Sequence, residues 1–211
     1  MKIVVFDCDS TLSAIEGIDE LARLRGSETF QKIEALTNAA MNGEVPIDEI
    51  FTRRLEMIQP SETACHEVAQ MYIEHIEPTA KVTLEKLRAA DWTPVIISGG
   101  FTQVIEPLAQ HLKITRIEAV PLKFHSDGTY AGFDTSAPPS RNGGKPEIIS
   151  SLKLEYAPER IVMVGDGISD LETKDEVTQF IGFGRYAERV RVVAEADHFI
   201  HSLENLPALL K

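Results

Sequence analysis

Three short apolar runs, each ending abruptly in polar residues or glycine, constrain the fold of this chain most. They are residues 3–6, 94–97 and 161–164, and each is followed by a stretch with helical spacing. Uninterrupted apolar runs of this length are typical of strands buried on both faces, and alternating strands and helices predict a parallel sheet covered by helices. Ligands in such folds bind beyond the carboxyl ends of the strands. We therefore predict an α/β fold with its functional site at that edge.

Residues 14–76 interrupt this alternation. Apolar residues recur there at helical spacing, and no segment has the pattern of a strand. We predict a small helical domain over residues 14–76, inserted into a core formed by residues 1–13 and 77–211.

Three further elements are predicted after the insertion. A helix is expected from Thr79, as its N-terminal cap, to about Ala90. Alternating residues between positions 122 and 133 flank a Ser-Asp-Gly turn, which predicts a β-hairpin. Residues 136–144 are rich in Pro, Ser and Gly, so we expect an irregular, exposed loop there.

Charge and cysteine content narrow the possible partners. The formal net charge is -12, which argues against binding of nucleic acid or of an anionic membrane surface. No stretch approaches the ~18 apolar residues of a membrane-spanning helix. The only cysteines, Cys8 and Cys65, lack the spacing of a zinc site or a disulfide framework, which favours a reducing compartment. We expect a cytoplasmic protein, monomeric or homodimeric, that acts on a small molecule.

Two carboxylates follow the first apolar run. Asp7 and Asp9 are two residues apart, so both side chains point to the same side if the backbone stays extended. Close carboxylates repel each other, which calls for a cation near them or for a proton on one of them. Taken alone, the pair also fits a strand that happens to end in acidic residues.

Two more carboxylates follow the third apolar run. Asp166 and Asp170 lie in a Gly-Asp-Gly-Ile-Ser-Asp segment, in which glycine allows close approach of the backbone. Because parallel strands end at a common edge, these carboxylates should lie near Asp7 and Asp9. Carboxylate oxygens are hard ligands that suit Mg²⁺, so we predict a magnesium site at this edge.

Groups that could bind an anion occur at two places: directly after the second apolar run, and at the start of a helix predicted further along the chain. Ser98, Gly99 and Gly100 offer a hydroxyl and backbone N–H groups, although a glycine-rich turn between strand and helix is the alternative. Lys145 precedes Pro146 at a predicted helix start, where a cation is unfavourable beside the positive helix end. A bound phosphate would explain this placement.

Several rival sites are excluded by inspection. A calcium-binding EF-hand loop that begins at Asp7 would need Gly where Leu12 stands and Glu where Ile18 stands. The glycines at positions 165 and 167 lack the third glycine of a dinucleotide site, and the Gly-Gly-Lys at 143–145 lacks the Ser or Thr of a P-loop. Neither cysteine has the downstream arginine of a cysteine-dependent phosphatase, and no serine elbow is present.

In this order and spacing, the four motifs resemble those of the haloacid dehalogenase superfamily. Within that superfamily, the chain is similar to the phosphoserine phosphatases over nearly its whole length, including residues 16–22, 54–61, 130–134 and 180–184. The resemblance implies a Rossmann-like parallel sheet with a small helical cap inserted after the first strand. It also implies a magnesium-dependent phosphatase.

The resemblance further implies a role for each site residue. Asp7 is the expected nucleophile, and Asp9 the acid and base. Mg²⁺ is expected to be bound by Asp7, the backbone carbonyl of Asp9, and Asp166. Asp170 is expected to hold the metal site and Lys145 in position without binding the metal directly. Lys145 would be catalytic as well as phosphate-binding. The residues expected to bind substrate are Glu16, Met41, Arg54, Ser98, Gly99, Lys145 and Ser169.

The implied reaction is hydrolysis of O-phospho-L-serine to L-serine and phosphate through an aspartyl phosphate, in serine biosynthesis. Glu16 would bind the substrate ammonium and Arg54 its carboxylate. Two positions depart from the family pattern: Ser169 stands where many relatives have Asn, and Ile47 where some have an aromatic residue. These departures concern substrate positioning and cap closure, and they leave the chemistry intact.

Other functions stay open at this point. A phosphatase or phosphotransferase that acts on another small phosphorylated amino acid or metabolite would use the same core. A phosphate or metal sensor without turnover is disfavoured by the complete set of Asp7, Asp9, Lys145 and Asp166. A dehalogenase is disfavoured because that branch of the superfamily does not need Asp9 or the metal carboxylates.

Overall fold

The first apolar run forms a central strand that is buried on both faces. The computed structural model describes residues 1–211, and this strand, β1, spans Lys2–Phe6. Val4 and Phe6 belong to the hydrophobic core on one face of the sheet, whereas Ile3 and Val5 belong to the core on the other. Because alternate residues of a strand point to opposite faces, a strand covered on both sides requires an uninterrupted apolar run.

Six strands form a parallel sheet, and two more form a separate hairpin. The strands after β1 are β2 (Trp92–Phe101), β3 (Arg116–Val120), β4 (Leu122–Phe124), β5 (Tyr130–Phe133), β6 (Arg160–Gly165), β7 (Gln179–Phe183) and β8 (His198–Ile200). The sheet order is β3-β2-β1-β6-β7-β8, and all its pairings are parallel. The chain order therefore reverses beside β1, and such a reversal opens a crevice at the carboxyl ends of the strands. The predicted α/β fold is confirmed, as is the hairpin, formed by β4 and β5.

Helices surround the sheet. They are α1 (Gly17–Arg25), α2 (Ser27–Met41), α3 (Ile47–Ile58), α4 (Glu62–Glu74), α5 (Ala80–Ala89), α6 (Thr102–His111), α7 (Gly144–Tyr156), α8 (Ile168–Leu171), α9 (Val190–Glu195) and α10 (Leu206–Leu209), with short 3₁₀ helices at Pro138–Ser140, Lys174–Glu176 and Leu203–Asn205. None of them combines the length and the apolar character needed to cross a membrane.

The helices α1 to α4 follow β1, where the insertion was predicted. A single antiparallel bridge between Ser13 and Ile76 joins the two ends of this segment. Helix α4 begins at an N-cap, Ser61, whose hydroxyl accepts the N–H of Ala64 at 3.1 Å. It packs against α6, so this last inserted helix contacts the helical layer of the core directly.

Thr79 is the N-cap residue of helix α5, as predicted, although its hydroxyl makes no capping hydrogen bond and donates to the carboxylate of Glu77 at 2.7 Å. The predicted end of the second strand was wrong. Strand β2 is longer than its apolar run and continues through Ser98 to Phe101. The glycines there belong to the strand end, and α6 follows without an intervening turn.

The composition of residues 136–144 predicted an exposed loop, but part of this segment is buried. Pro139 and Ser140 are buried, and their 3₁₀ helix packs against β2, β3, α3 and α7. The hydroxyl of Ser140 donates to the carbonyl of Ala137 at 2.8 Å, which satisfies this polar group inside the segment. The segment is covered because these two strands and two helices pack against it.

Candidate active site

The carboxylates of Asp7 and Asp9 line the same pocket although the backbone between them is not extended. The chain leaves β1 before Asp7 and enters a turn, in which Ser10 has a φ of 51°. The N–H of Asp7 still donates to the carbonyl of Val164 on β6, at 2.9 Å. The turn, rather than an alternation along a strand, therefore directs Asp9 towards the site.

Lys145 is a buried cation shared by two carboxylates. It is the second residue of α7 and 3% exposed, and its Nζ lies 3.0 Å from Oδ1 of Asp7 and 2.6 Å from Oδ1 of Asp170. Burial alone would lower the pKa of Lys145, but the charges of Asp170 and Asp7 outweigh it and raise that pKa above its ordinary range. Lys145 therefore stays positively charged beside the predicted nucleophile.

Asp9 is held by donors from three segments. Its Oδ1 accepts the N–H of Gly17 at 2.6 Å and the phenol O–H of Tyr72 from α4, and its Oδ2 lies 3.2 Å from the hydroxyl of Ser98. Burial and the nearby charge of Asp7 raise the pKa of Asp9, although its hydrogen bonds oppose the shift. A carboxyl group in this environment is suited to hold a proton and release it.

Three carboxylates at the edge of the sheet fit a divalent cation. Asp7, Asp166 and Asp170 each bring a buried carboxylate oxygen within 4.8 Å of the others. Burial raises the pKa of Asp166 well above its ordinary value, and the charges of Glu16, Asp7 and Asp170 add to the shift. Oδ2 of Asp166 is buried without a hydrogen-bond partner, and Nε of Arg189 lies 3.9 Å from it. A hard cation among these oxygens would offset their repulsion.

The oxygens of Asp170 differ from those of Asp166 because both already have donors. Oδ1 accepts Nζ of Lys145, and Oδ2 accepts the N–H of Gly167 at 3.0 Å. Asp170 therefore contacts the cationic side chain and the loop after β6, while Asp166 has a free oxygen.

Arg54 is buried, and a chain of hydrogen bonds connects it to residues of two other inserted helices. Its Nη1 donates to the hydroxyl of Thr37 at 3.2 Å, and that hydroxyl donates to Oδ1 of Asp19 at 2.7 Å. Burial lowers the pKa of Arg54, and the carboxylate of Asp19 opposes this shift most strongly. Arg54 lines the pocket, and its Nε is buried without a hydrogen-bond partner, so this guanidinium is not fully satisfied by the protein.

Glu16 lies beside the turn that carries Asp9. Its Oε1 accepts the hydroxyl of Ser10 at 2.7 Å. Burial and the charge of Asp9 raise the pKa of Glu16 to about 8. A cationic ligand group would favour the charged form of this carboxylate.

One pocket brings most of the predicted site residues together. The nine that line it are Asp7, Asp9, Glu16, Met41, Arg54, Ser98, Gly99, Lys145 and Ser169. Asp166 and Asp170 do not line it, and lie buried against Thr11 and Lys145 respectively. Further lining residues are Ile18, Thr37, Ile47, Phe51, Gly100 and Pro139.

A family model described as haloacid dehalogenase-like hydrolase matches residues 4–173. The chain belongs to this family. It is therefore a hydrolase, and the resemblance of its motifs to this superfamily is confirmed.

Comparison with individual members of the haloacid dehalogenase-like hydrolases extends the match to the full chain. A phosphoserine phosphatase from Bos taurus is 37% identical over 210 residues, which cover 99% of this chain and 92% of the relative. A chloroplastic phosphoserine phosphatase from Arabidopsis thaliana is 35% identical, over 98% of this chain and 70% of the relative. The crystal structure of a phosphoserine phosphohydrolase-like protein from Francisella tularensis superposes with a TM-score of 0.92 at 24% identity, and covers both chains completely.

Some residues of this haloacid dehalogenase-like site were not predicted from the sequence. Asp19 and Thr37 hold Arg54, and Tyr72 holds Asp9. Asp19 lies in the first turn of α1, three residues after the N-cap Glu16, so its position gave a usable signal. Tyr72 gave none, because its partner is 63 positions away in the chain.

The raised pKa of Glu16 predicts a pH dependence for this hydrolase. Between its ordinary pKa of 4.5 and about 8, the folded state retains a proton that the unfolded state releases, so stability falls as the pH rises through this window. Glu16→Gln keeps the acceptor for Ser10 but does not titrate. In the absence of divalent cations, we expect the Tm of Glu16→Gln to decrease less than that of the wild type between about pH 5 and 8. Thermal denaturation followed by circular dichroism measures this.

Glu74→Gln is the control for that experiment, since Glu74 is exposed at the end of α4. Its Tm should follow the wild-type curve. If the Glu16→Gln curve also ran parallel to the wild type, Glu16 would not take up a proton on folding.

Proposed function

We propose that this chain is a magnesium-dependent phosphatase that hydrolyses O-phospho-L-serine to L-serine and phosphate through an aspartyl phosphate on Asp7. The observation that carries the proposal is the lining of one pocket. Asp7 and Lys145 of the core line it, and so do Glu16 and Arg54 of the inserted segment. The first pair suits phosphoryl transfer, and the second suits an amino acid as leaving group.

Phosphoserine carries three charged groups, and the pocket offers a complement to each. Glu16 is an acceptor for the ammonium, and the guanidinium of Arg54, of which only Nη1 has a hydrogen-bond partner in the protein, is a donor for the carboxylate. Lys145 and the hydroxyl of Ser98 are donors for the phosphate oxygens. A simple phosphomonoester without the amino acid would leave Glu16 without a cationic partner and Arg54 without an anionic one in the pocket.

We assign the metal to Asp7, the backbone carbonyl of Asp9, and Asp166. This choice is supported by the free Oδ2 of Asp166 and by the two donors that already occupy the oxygens of Asp170. When bound, Mg²⁺ would neutralise charge on the phosphate and on the carboxylates around it. Asp170 then acts through Lys145, which it holds at 2.6 Å.

The two carboxylates of the loop after β1 have different roles in the reaction. Asp7 attacks phosphorus while the bond from phosphorus to the serine oxygen breaks, and Asp9 donates its proton to that oxygen. A water molecule then attacks the aspartyl phosphate, and Asp9 takes a proton from it. The products are phosphate and the restored carboxylate of Asp7. The raised pKa of Asp9 supports its role in the first step.

Relatives and cysteines support the biological setting that we propose, serine biosynthesis in the cytoplasm. The Bos taurus relative, at 37% identity over nearly both full chains, is a phosphoserine phosphatase. Both cysteines are free and buried, which is compatible with a reducing compartment.

Release of inorganic phosphate from a panel of phosphomonoesters, with Mg²⁺ and with EDTA, tests this function. We expect phosphoserine to have the highest kcat/KM in the panel, ahead of phosphothreonine, phosphoethanolamine and p-nitrophenyl phosphate. Turnover should be lost with EDTA and restored by Mg²⁺. A higher kcat/KM for another phosphorylated metabolite would overturn the assignment to serine, and turnover that survives EDTA would overturn the metal site.

Arg54→Ala is the decisive variant within that panel. Loss of a charge-assisted hydrogen bond, about 1.5–3 kcal/mol, should lower kcat/KM for phosphoserine by roughly 10- to 150-fold. Hydrolysis of p-nitrophenyl phosphate should change little. Arg53→Ala is the matched control, because Arg53 is the exposed neighbour on α3. Equal losses on both substrates would contradict a role for Arg54 in recognising the amino acid.

A further inference from the structure

We infer that Tyr72 is a positioning residue that determines which oxygen of Asp9 delivers the proton. Its phenol holds Oδ1 of Asp9 as a hydrogen-bond acceptor, and this leaves Oδ2 as the oxygen that protonates the leaving group. The inference rests on the proposed function, in which Asp9 is the acid, and adds to it a residue that does not line the pocket.

Tyr72 is placed for this role by α4. The side chain is completely buried, and the phenol O–H has one hydrogen-bond partner, Oδ1 of Asp9. A buried tyrosine hydroxyl requires such a partner. The backbone carbonyl of Tyr72 also accepts the hydroxyl of Ser13 at 3.3 Å, which ties α4 to the segment that carries Asp9. Since α4 packs against α6, the phenol is anchored to the core.

Gly17 makes room for this contact. A Cβ at position 17 would lie 2.2 Å from the phenol oxygen of Tyr72, so the phenol would have to move away to accommodate it. The absence of a side chain allows the N–H of Gly17 and the O–H of Tyr72 to reach the same oxygen of Asp9. The tyrosine on α4 can therefore reach Asp9 only because the first residue of α1 is glycine.

Two donors on Oδ1 leave the other oxygen of Asp9 for the proton. A proton on Oδ1 would point towards an N–H and an O–H group that have no other acceptor there. Oδ2 has different surroundings: its only donor is the hydroxyl of Ser98 at 3.2 Å, and a hydroxyl, unlike an N–H, can rotate and accept a hydrogen bond from a protonated oxygen. A Cβ at position 100 would come within 2.7 Å of Oδ2. Gly100 therefore keeps open the side of Oδ2 that faces the pocket.

The Tyr72→Phe variant tests this role because it removes only the hydroxyl. The value of kcat/KM reports the steps up to release of the leaving group. The serine alkoxide needs a proton at that stage, whereas nitrophenolate does not. We expect kcat/KM to fall about tenfold for phosphoserine and less than about twofold for p-nitrophenyl phosphate. Tyr130→Phe, on the hairpin strand β5, is the matched control and should change neither value.

The contrast between substrates separates positioning from a purely structural contribution. An equal loss on both substrates, or no loss on phosphoserine, would overturn the role of Tyr72. If Tyr72→Phe fails to fold by circular dichroism, Tyr72→Met, which also lacks the donor, replaces it and should give the same contrast. If the wild type prefers another alkyl phosphate, the proposed substrate is wrong, and that ester takes the place of phosphoserine in the same comparison.

Discussion

Replacement of Asp7 by Asn should lower phosphate release by at least about 10⁴-fold and abolish the phosphoenzyme. The amide is nearly isosteric, so its oxygen can still accept the N–H of Cys8, which lies 2.7 Å from Oδ1 of Asp7. It is, however, not a nucleophile towards phosphorus. Rapid quenching of the enzyme with phosphate-labelled substrate, followed by counting of protein-bound label, measures the intermediate directly.

Asp91→Asn is the matched control for this experiment. Asp91 is exposed at the opposite end of β2 from the site, and its φ of 63° is a conformation that Asn adopts readily. The control should retain wild-type turnover and labelling. Undiminished turnover, or an undiminished label, in Asp7→Asn would exclude Asp7 as the nucleophile.

Replacement of Lys145 by Met should reduce kcat/KM by roughly 10³-fold and also destabilise the fold. The variant removes the only cation within 3.0 Å of Asp7 and leaves Asp170 buried opposite a neutral side chain. Removal of one member of a buried ion pair costs about 3–5 kcal/mol, which corresponds to a Tm lower by roughly 10 °C for a chain of this length. Steady-state kinetics and thermal denaturation measure the two effects.

The pH dependence of that destabilisation follows from the raised pKa of Lys145. A base with a raised pKa contributes its full stabilisation below the pKa of the unfolded chain, about 10.4, and loses it as the pH rises through the folded value. The contribution of Lys145 itself is therefore constant between about pH 6 and 9. Loss of its charge also raises the pKa of Asp170 beyond the value of about 7 that it has beside Lys145, so the difference in Tm should widen as the pH rises above about 7. Lys153→Met, which removes a half-exposed pair with Glu176, should lower the Tm much less. Activity of Lys145→Met within tenfold of the wild type would exclude Lys145 from the site.

Three strands of the sheet, β1, β2 and β6, could be predicted because burial on two faces leaves a local signature in the sequence. Residues 3–6 and 161–164 are apolar without interruption, and both runs became neighbouring strands of the sheet. The end of β2 could not be predicted in the same way. Ser98 and its following glycines have low strand propensity, yet β2 continues through them to Phe101, which pairs with Val120 of β3.

The site was predictable where chemistry follows directly from a strand end or a helix start. Asp7, Asp166 and Lys145 each hold such a position, so the parallel topology alone brings them to one edge. The helical insertion was harder, because its side chains meet across helices. Thr37 and Arg54 belong to α2 and α3, and no spacing in the sequence indicates that a threonine hydroxyl lies between Arg54 and Asp19.

The sequence by itself determined the layered fold, the edge of the sheet where chemistry occurs, and the residue types that meet there. Those features depend on local periodicity and on the common direction of parallel strands. Only the tertiary structure decided how the carboxylates differ: Lys145 contacts Asp7 and Asp170, Asp166 keeps an oxygen free, and the phenol of Tyr72 holds Oδ1 of Asp9. The reason is physical. Burial, pKa and hydrogen-bond partners are set by groups that are distant in the chain and adjacent only after packing.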